Sequence, residues 1–159
     1  MFPVVAAAME RRFQALDKPL WCEAIAELLN RRRQSFFRWH DSGDLQSVAH
    51  LARIVRVCEL TPQVRHWLPT REYKIVTDYV SAGGEIPANL EIRMSVHMIG
   101  GHVPTFPRLK GLVSVSTVSS DEATYPEAHQ CPAPSQGGMC GDCRACWSPD
   151  VPHVNYHLH

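Results

Sequence analysis

Residues 35–80 have the sequence SFFRWHDSGDLQSVAHLARIVRVCELTPQVRHWLPTREYKIVTDYV. A short run rich in aromatic residues, 35–39, precedes a segment, 45–59, whose apolar side chains recur at helical spacing. The same order then returns, with a strand predicted at 63–68 and a helix at 71–80. Because strands that alternate with helices favour parallel pairing, this stretch predicts an α/β fold, either a small parallel sheet or a partial (β/α) barrel.

The rest of the chain extends this pattern on both sides. Two helices are predicted before the stretch and two strands after it, at residues 4–16 and 18–33 and at residues 90–96 and 112–118. Asp17 is a candidate N-cap for the second helix. After residue 120 the sequence becomes rich in proline, glycine and serine, and the last residues, 153–159, are expected to fray. We therefore expect an α/β domain at 1–120 and a metal-binding C-terminal lobe at 121–159 packed on it.

Composition and charge exclude several classes of protein. Of the 159 residues, 45% are hydrophobic and 20% are charged, so the composition is not that of a disordered chain. Sixteen Lys and Arg residues balance sixteen Asp and Glu residues, which gives no general attraction to nucleic acid or to anionic membranes. The longest apolar runs fall short of the roughly 20 residues that cross a bilayer, and the first residues lack a secretory signal. We expect a cytoplasmic protein without a membrane-spanning segment.

Four of the six cysteines lie close together near the end of the chain. Their spacing is Cys131-x8-Cys140-x2-Cys143-x2-Cys146. In a reducing compartment thiols stay free to bind a metal, whereas disulfides need an oxidising one. Gaps of two residues allow a tight turn to point two sulfurs at the same ion. We therefore expect these four side chains to form a metal knuckle, which binds one metal centre and organises a lobe that has few apolar residues.

The identity of this metal stays open between zinc and an iron–sulfur cluster. A tetrahedral site of four cysteines is common for structural zinc, and we prefer zinc on that ground. Consecutive C-x2-C steps are also typical of the ligands of a [4Fe-4S] cluster. His129 is a further possible ligand, and Arg144 is placed to balance the negative charge of the thiolates. Both metal centres would use the same cysteines.

Polar side chains gather directly after the predicted strands. They are His40, Asp41, Ser42 and Asp44 after the first strand, Thr70 and Arg71 after the second, and Ser95 and His97 after the third. The carboxyl ends of parallel strands share one edge of a sheet, where ligand sites of α/β proteins collect. We therefore expect a pocket at this edge. Asp44 and Thr70 have a second interpretation as helix N-caps, and His97 as a hydrogen-bonded strand residue.

Several pieces of the chain resemble the phage-associated gene product 88 family. They are FFRWHDSGDLQS at 36–47, WLPTREYKIV at 67–76, IRMSVHM at 92–98, HQCPAPSQGGMCGDCRACW at 129–147 and NYHLH at 155–159. The resemblance implies a phage or prophage origin, an α/β body and a metal bound at positions 131, 140, 143 and 146. Longer relatives carry a further cysteine-containing stretch before the region that resembles FPVVAAAMERRFQAL, so the resemblance also implies a form shortened at the N-terminus. It assigns no activity.

Two functional hypotheses differ in whether the protein catalyses a reaction. The favoured one is a non-enzymatic accessory protein that binds a host or phage protein or nucleoprotein in the cytoplasm of an infected or lysogenic bacterium, for example as an anti-defence inhibitor. It agrees with a sequence that has no Walker loop or dinucleotide-binding fingerprint. The alternative is an iron–sulfur enzyme in which His40 and Asp41 act as acid–base or ligand groups and Arg71 positions an anionic substrate.

A third hypothesis is nucleic-acid binding through the cysteine-bound metal. Residues 31–33 and Arg144 would contact phosphates, and Trp147 would stack on a base. Trp147 has a second interpretation as a side chain packed over the metal lobe. An incomplete barrel also leaves strand edges exposed, and these favour a homodimer.

Overall fold

The computed structural model describes residues 3–41, 43–121 and 124–158. In these residues, six strands form one parallel sheet in the order β1-β2-β3-β4-β6-β5. The strands are β1 (Phe36–Arg38), β2 (Arg65–Thr70), β3 (Leu90–Ser95), β4 (Ser114–Ser119), β5 (His129–Gln130) and β6 (His153–His157). The α-helices are α1 (Pro3–Ala15), α2 (Trp21–Arg31), α3 (Val48–Leu60) and α4 (Tyr73–Ser81). The prediction of an α/β fold is confirmed, and the parallel sheet is curled into an open half-barrel.

One face of the sheet packs against helices. α3 connects β1 to β2, and its apolar side chains lie three or four residues apart, so that Leu51, Ile54 and Cys58 are all fully buried. They pack with Leu68 of β2 and Ile92 of β3 in one continuous core. Burial of a side chain of this size contributes roughly 1.5 to 3 kcal/mol. This core holds the carboxyl ends of β1, β2 and β3 in fixed positions.

The opposite face of the sheet packs against the residues that carry the clustered cysteines. Trp67 of β2 and Val154 of β6 are buried there with Ala145 and Cys146, which belong to a short 3₁₀ turn, Ala145–Trp147. We call residues 129–151 the cysteine lobe. The sheet is thus covered on both faces, as expected for parallel strands.

Two predicted helix starts are wrong, because the predicted caps make other contacts. α2 begins at Trp21 without a side-chain cap, and Asp17 instead lies 3.4 Å from the guanidinium of Arg53. α3 begins at Val48 rather than at residue 45, and the hydroxyl of Ser47 accepts a hydrogen bond from the backbone N–H of His50. Ser47 therefore has the capping role that the sequence had suggested for Asp44.

The prediction for Thr70 as a helix N-cap is also wrong. Thr70 is the last residue of β2, which ends two residues later than predicted. α4 begins at Tyr73, with Glu72 at the N-cap position and no side-chain cap. The side chain of Thr70 is buried instead against the loop that follows β1.

The expectation of a frayed C-terminus is wrong for residues 153–157. These residues form β6, which pairs with β4 on one side and with β5 on the other. Asn155 is fully buried, and its amide donates to Ser119 and to Gln130. Hydrogen-bonded polar side chains hold this strand in the sheet, whereas a sequence pattern identifies a buried strand by its apolar side chains. Residues beyond position 120 therefore contribute two strands to the sheet.

Candidate functional site

A polar cavity of about 310 Å³ lies at the carboxyl ends of β1, β2 and β3. Its lining residues are Arg38, His40, Asp41, Gly43, Asp44, Pro69, Thr70, Arg71 and Ser95. The structure thus brings together six of the eight residues that the sequence had suggested for a pocket at this edge. Ser42 lies outside the described residues. His97 is exposed and does not line the cavity; its Nδ1 lies 3.2 Å from the hydroxyl of Tyr73.

Asp44 connects the loop after β1 to the end of β2. Its Oδ1 accepts hydrogen bonds from the backbone N–H of Leu45 at 2.7 Å and from the hydroxyl of Thr70 at 2.5 Å. Its Oδ2 accepts from the backbone N–H of Arg71 at 2.8 Å. The hydroxyl oxygen of Thr70 in turn accepts from the backbone N–H of Glu72 at 3.0 Å. Asp44 therefore acts mainly as a positioning residue, which fixes the wall of the polar cavity.

His40 lies between this cavity and a second one, in an unusual conformation. Its φ of 52° is in the left-handed region, which is unfavourable for a residue with a β-carbon. Both ring nitrogens are shielded from solvent; the Pro69 carbonyl oxygen beside the ring can accept from one of them, and the other has no partner among the described residues. Burial lowers the pKa of His40, while the carboxylate of Asp44 acts in the opposite direction. The imidazole is therefore neutral at neutral pH.

Positive and negative side chains face the open part of the polar cavity. Arg38, Asp41 and Arg71 are all exposed. The guanidinium of Arg38 lies over the ring of Trp67, 4.7 Å from its centroid, and this contact orients it. Sequence reasoning missed Arg38, although the alternation of side chains along β1 places it on the opposite face from Phe37.

A second cavity, of about 680 Å³, adjoins the first at the loop after β1. Its walls include the aromatic side chains of Phe13, Trp21, Phe37 and Trp39, together with His40, His50 and residues of α1 and α2. We call it the aromatic cavity. Trp21 and Trp39 stack with their centroids 6.1 Å apart. Sequence reasoning missed this cavity, because it depends on how α1 and α2 lie against the end of β1.

The cysteine lobe packs three of its four cysteine side chains against one buried cluster on the sheet. Cys131, Cys143 and Cys146 pack together on the sheet with Trp67, whereas Cys140 is exposed. Among the residues that the structure describes, no group of three or more histidine, cysteine or carboxylate side chains is arranged to hold a metal ion. The predicted four-cysteine metal knuckle therefore stays a prediction. All six cysteines of the chain have free thiols.

The electrostatics of the lobe show that its thiols lie near one another. Burial raises the pKa of Cys131, and the charges of Cys140 and Cys143 raise it further. Burial also raises the pKa of Cys146, while the positive charge of Arg93 acts in the opposite direction. The imidazole Nε2 of His129 lies 3.5 Å from the sulfur of Cys143. Several thiolates at these positions would repel one another unless a cation lay between them.

A buried arginine joins the lobe to the sheet. Arg93 of β3 is fully buried, and its guanidinium donates to the carbonyl oxygens of Cys146 at 3.0 Å and of Ala145 at 2.6 Å. It also donates to the carbonyl oxygens of Ser148 and Val151. Sequence reasoning missed this role, because its partners are backbone groups that no side-chain pattern reveals.

Trp147 is held by β1, the first strand of the chain. Its indole N–H donates to the carbonyl oxygen of Phe37 at 3.0 Å. Its ring meets Trp67 edge to face, with a centroid distance of 5.1 Å. The guanidinium of Arg144 lies 5.0 Å from the ring centroid of Phe36, on the same side of the sheet. These contacts agree with the interpretation of Trp147 as a side chain packed over the lobe.

Comparison with known proteins gives one family. The family model described as Gene product 88 matches residues 1–149. Neither a curated protein nor a solved structure gives a match. No helix in the described ranges has both the length and the apolar character needed to cross a membrane.

Proposed function

The chain belongs to the phage gene product 88 family, whose model covers residues 1–149, and from this we propose that it is an accessory protein that acts by binding a target at the carboxyl ends of β1, β2 and β3. The target is a host or phage protein or nucleoprotein, or a ligand that such a complex carries. Inhibition of a host defence is one role that such binding would serve. In the same proposal, the cysteine lobe holds a structural metal ion.

The observation that carries this proposal is the convergence of unpaired polar groups on one cavity. A shielded ring nitrogen of His40 lacks a partner among the described residues, and the exposed guanidinium of Arg71 faces the same space. A shielded polar atom without a partner costs roughly 1 to 3 kcal/mol. A bound target that supplies hydrogen-bond partners would recover this energy. The left-handed backbone of His40 supports the same interpretation, because strain of this kind is concentrated at functional sites.

The hydrogen bonds of the cavity support binding over acid–base catalysis. The carboxylate of Asp44 accepts three hydrogen bonds that fix the local structure, so it is poorly available as a general base. The hydroxyl of Ser95 pairs with that of Ser116 at 3.0 Å. The alternative of an iron–sulfur enzyme would need His40 or Asp41 to act on a substrate, and it is tested by the metal analysis below.

The chemistry of the cysteine lobe supports a metal bound by thiolates. Cys131, Cys140, Cys143 and Cys146 would hold the ion, and we prefer zinc to a [4Fe-4S] cluster. Three of these cysteines already pack in or against one buried cluster, the charge of Cys140 reaches Cys131 and Cys146, and the buried guanidinium of Arg93 contacts the carbonyl oxygen of Cys146. A nearby cation of this kind stabilises a site whose four thiolates exceed the charge of the metal. Zinc would cross-link the turns of the lobe and contribute folding energy directly.

Elemental analysis of anaerobically purified protein tests the metal. We expect one zinc ion per chain and a colourless preparation. Cys143→Ser should lose the metal, while Cys22→Ser, outside the lobe, should keep it. Iron with visible absorbance would favour the cluster and, with it, the enzymatic alternative. Metal-free folded protein with four titratable lobe thiols would contradict this part of the proposal.

Capture from infected cells tests the binding site. Tagged wild-type protein should retain a target, identified by mass spectrometry of both proteins and small molecules. Arg71→Gln, at the cavity, should reduce the retained amount about tenfold or more, if the guanidinium makes a charged hydrogen bond to the target. Arg65→Gln, an exposed cation at the other end of β2, is the matched control and should retain it fully. Equal retention by both variants would contradict the proposed site.

A further inference from the structure

The polar cavity and the aromatic cavity adjoin at the loop after β1. Both are lined by His40, Asp41, Gly43 and Asp44. We call the two together the cleft. Their volumes of about 680 Å³ and 310 Å³ lie in the range that is typical of small-molecule sites. A ligand that spans the cleft meets aromatic rings at one end and guanidinium groups at the other.

The aromatic end of the cleft contains buried polar atoms that lack partners. Trp39 is 5% exposed, and its indole N–H finds no hydrogen-bond acceptor in the described part of the chain. The Pro69 carbonyl oxygen beside the ring of His40 can accept from one of its nitrogens, which leaves the other without a partner among the described residues. Buried polar groups are almost always paired in native proteins, so a ligand with an acceptor at this end would supply the partner that the indole N–H lacks. A purely apolar ligand would leave it unpaired.

A planar heterocycle fits both the aromatic walls of this end and the polar atoms that lack partners there. Its faces stack on the more exposed aromatic rings of the cavity wall, since Trp39 already stacks with Trp21 and with His66. Nitrogen and carbonyl groups at its edge accept from an indole N–H and pair with a neutral imidazole. Trp21 and Trp39 both line this end, and the ring of His40 lies 5.6 Å from that of His50. The aromatic end thus matches a nucleobase better than it matches an aliphatic chain.

The polar end of the cleft provides partners for an anion and for hydroxyl groups. Arg38 and Arg71 expose guanidinium groups, which bind phosphate through paired charged hydrogen bonds. The exposed carboxylate of Asp41 is an acceptor for sugar hydroxyls, a role that acidic residues have after strands of nucleotide-binding sheets. Asp44 does not compete with a phosphate for these guanidinium groups, because its oxygens already accept three other hydrogen bonds.

We propose that the cleft binds a nucleotide, with the base in the aromatic cavity and the phosphate at Arg38 and Arg71. This inference rests on the proposed function, since it names the class of target for the same site. A free nucleotide and the 5′-terminal nucleotide of a nucleic-acid strand present the same chemistry. The net charge of zero agrees with recognition of one nucleotide by local contacts rather than with attraction to a long polyanion.

Isothermal titration calorimetry with defined probes tests the inference. The probes are the four ribonucleoside 5′-monophosphates, the matching nucleosides, and short single-stranded oligonucleotides with and without a 5′ phosphate. At least one monophosphate or one phosphorylated oligonucleotide should bind the wild-type protein, and the probe without phosphate should bind about tenfold more weakly or worse. Tighter binding of the monophosphate identifies a free nucleotide as the source, and tighter binding of the phosphorylated oligonucleotide identifies a strand end.

Three variants assign the contacts. Arg71→Gln should raise Kd about tenfold, and Trp39→Phe, which keeps an aromatic ring of smaller size but removes the indole N–H, about threefold to tenfold. Arg65→Gln should leave Kd unchanged. Because Arg71 is exposed, its variant remains informative even if Trp39→Phe folds poorly.

Two results would overturn the inference: no binding of any phosphorylated probe by the folded wild-type protein, or equal Kd values for the wild type and Arg71→Gln. If Arg71→Gln still abolishes capture of a target from infected cells, the nucleotide assignment fails while the proposed binding site stands. If Arg71→Gln also leaves capture unaffected, both the nucleotide assignment and the proposed binding site fail.

Discussion

The guanidinium of Arg93 lies 2.6 Å from the carbonyl oxygen of Ala145, a residue 52 positions later in the chain. The same side chain donates to three other carbonyl oxygens of the cysteine lobe, those of Cys146, Ser148 and Val151. Its closest carboxylate, on the buried Glu91, is 4.0 Å away. Backbone carbonyls therefore provide most of the solvation that this buried cation needs. The arginine and the lobe stabilise each other.

Replacement of Arg93 should therefore detach the lobe from the sheet. We expect Arg93→Met to lower the free energy of unfolding by about 3 to 5 kcal/mol, because four buried or partly buried carbonyl groups each lose a charged donor. Urea denaturation measures the loss, and hydrogen exchange of residues 145–151 should accelerate. Arg65→Met, at an exposed position of β2, serves as the control, with an expected change within about 0.5 kcal/mol. A similar loss in both variants would contradict the anchoring role.

The pH dependence of stability should include a contribution from His66. The hydroxyl of Thr61 donates to the carbonyl oxygen of Val57, so it accepts from Nε2 of His66 at 2.9 Å, and the other ring nitrogen is buried without a partner among the described residues. Burial lowers the pKa of His66 from 6.5 to about 4. Because the unfolded chain then takes up the proton first, stability is complete above about pH 6.5 and falls as the pH drops towards 4.

Unfolding measured at about pH 7 and about pH 5 checks this expectation. His66 should contribute a loss of about 2 kcal/mol over that interval. His66→Phe should remove this part of the loss, whatever its effect on stability at neutral pH. His50, whose pKa is also lowered to about 4, keeps its own contribution in that variant. His102→Gln, at an exposed position, should keep the full dependence. An unchanged pH dependence in His66→Phe would show that His66 is not responsible.

The alternation of strands and helices could be predicted because each helix carries its own signal. The apolar spacing in α3 depends only on neighbouring residues, and the structure places Leu51, Ile54 and Cys58 in the core as expected. β6 carries no such signal. Of its five residues, HVNYH, only Val154 and Asn155 are buried, and Asn155 depends on partners from β4 and β5 that a local pattern does not show.

The edge of the sheet where the polar residues meet could also be predicted, but not the role of each residue. Asp44 has the sequence of an N-cap, yet its carboxylate bonds to Thr70 and to the backbone of Arg71, more than 25 positions away. Asp44 therefore bonds to residues that are distant in the sequence instead of capping the helix that follows it. The aromatic cavity needs Trp21 and Trp39 to meet across the chain, and this meeting is set by tertiary packing rather than by spacing.

Asn89 should stabilise the turn between α3 and β2. Its amide Nδ2 donates to the carbonyl oxygens of Cys58, Thr61 and Val64, at distances of 2.9, 3.1 and 3.0 Å. We expect Asn89→Ala to lower the free energy of unfolding by about 2 kcal/mol and Asn89→Asp to lower it further, because a carboxylate would face three carbonyl oxygens. Thermal or urea unfolding at neutral pH ranks the stability of the wild type and the two variants. If Asn89→Asp lowered the free energy of unfolding less than Asn89→Ala does, Asn89 would not act as this donor.

The side chains of Thr70 and Asp44 should be energetically coupled. They share a hydrogen bond, and each also accepts from a backbone N–H of the loop after β2. We expect a double-mutant cycle of Asp44→Asn and Thr70→Val to give a coupling energy of about 1 to 2 kcal/mol, as a partly buried hydrogen bond to a carboxylate normally does. The matched control is the exposed pair of Lys74 and Asp78, for which coupling should stay below about 0.5 kcal/mol. Strictly additive effects of the Asp44 and Thr70 changes would mean that the cavity wall is held by the backbone contacts of Asp44 alone.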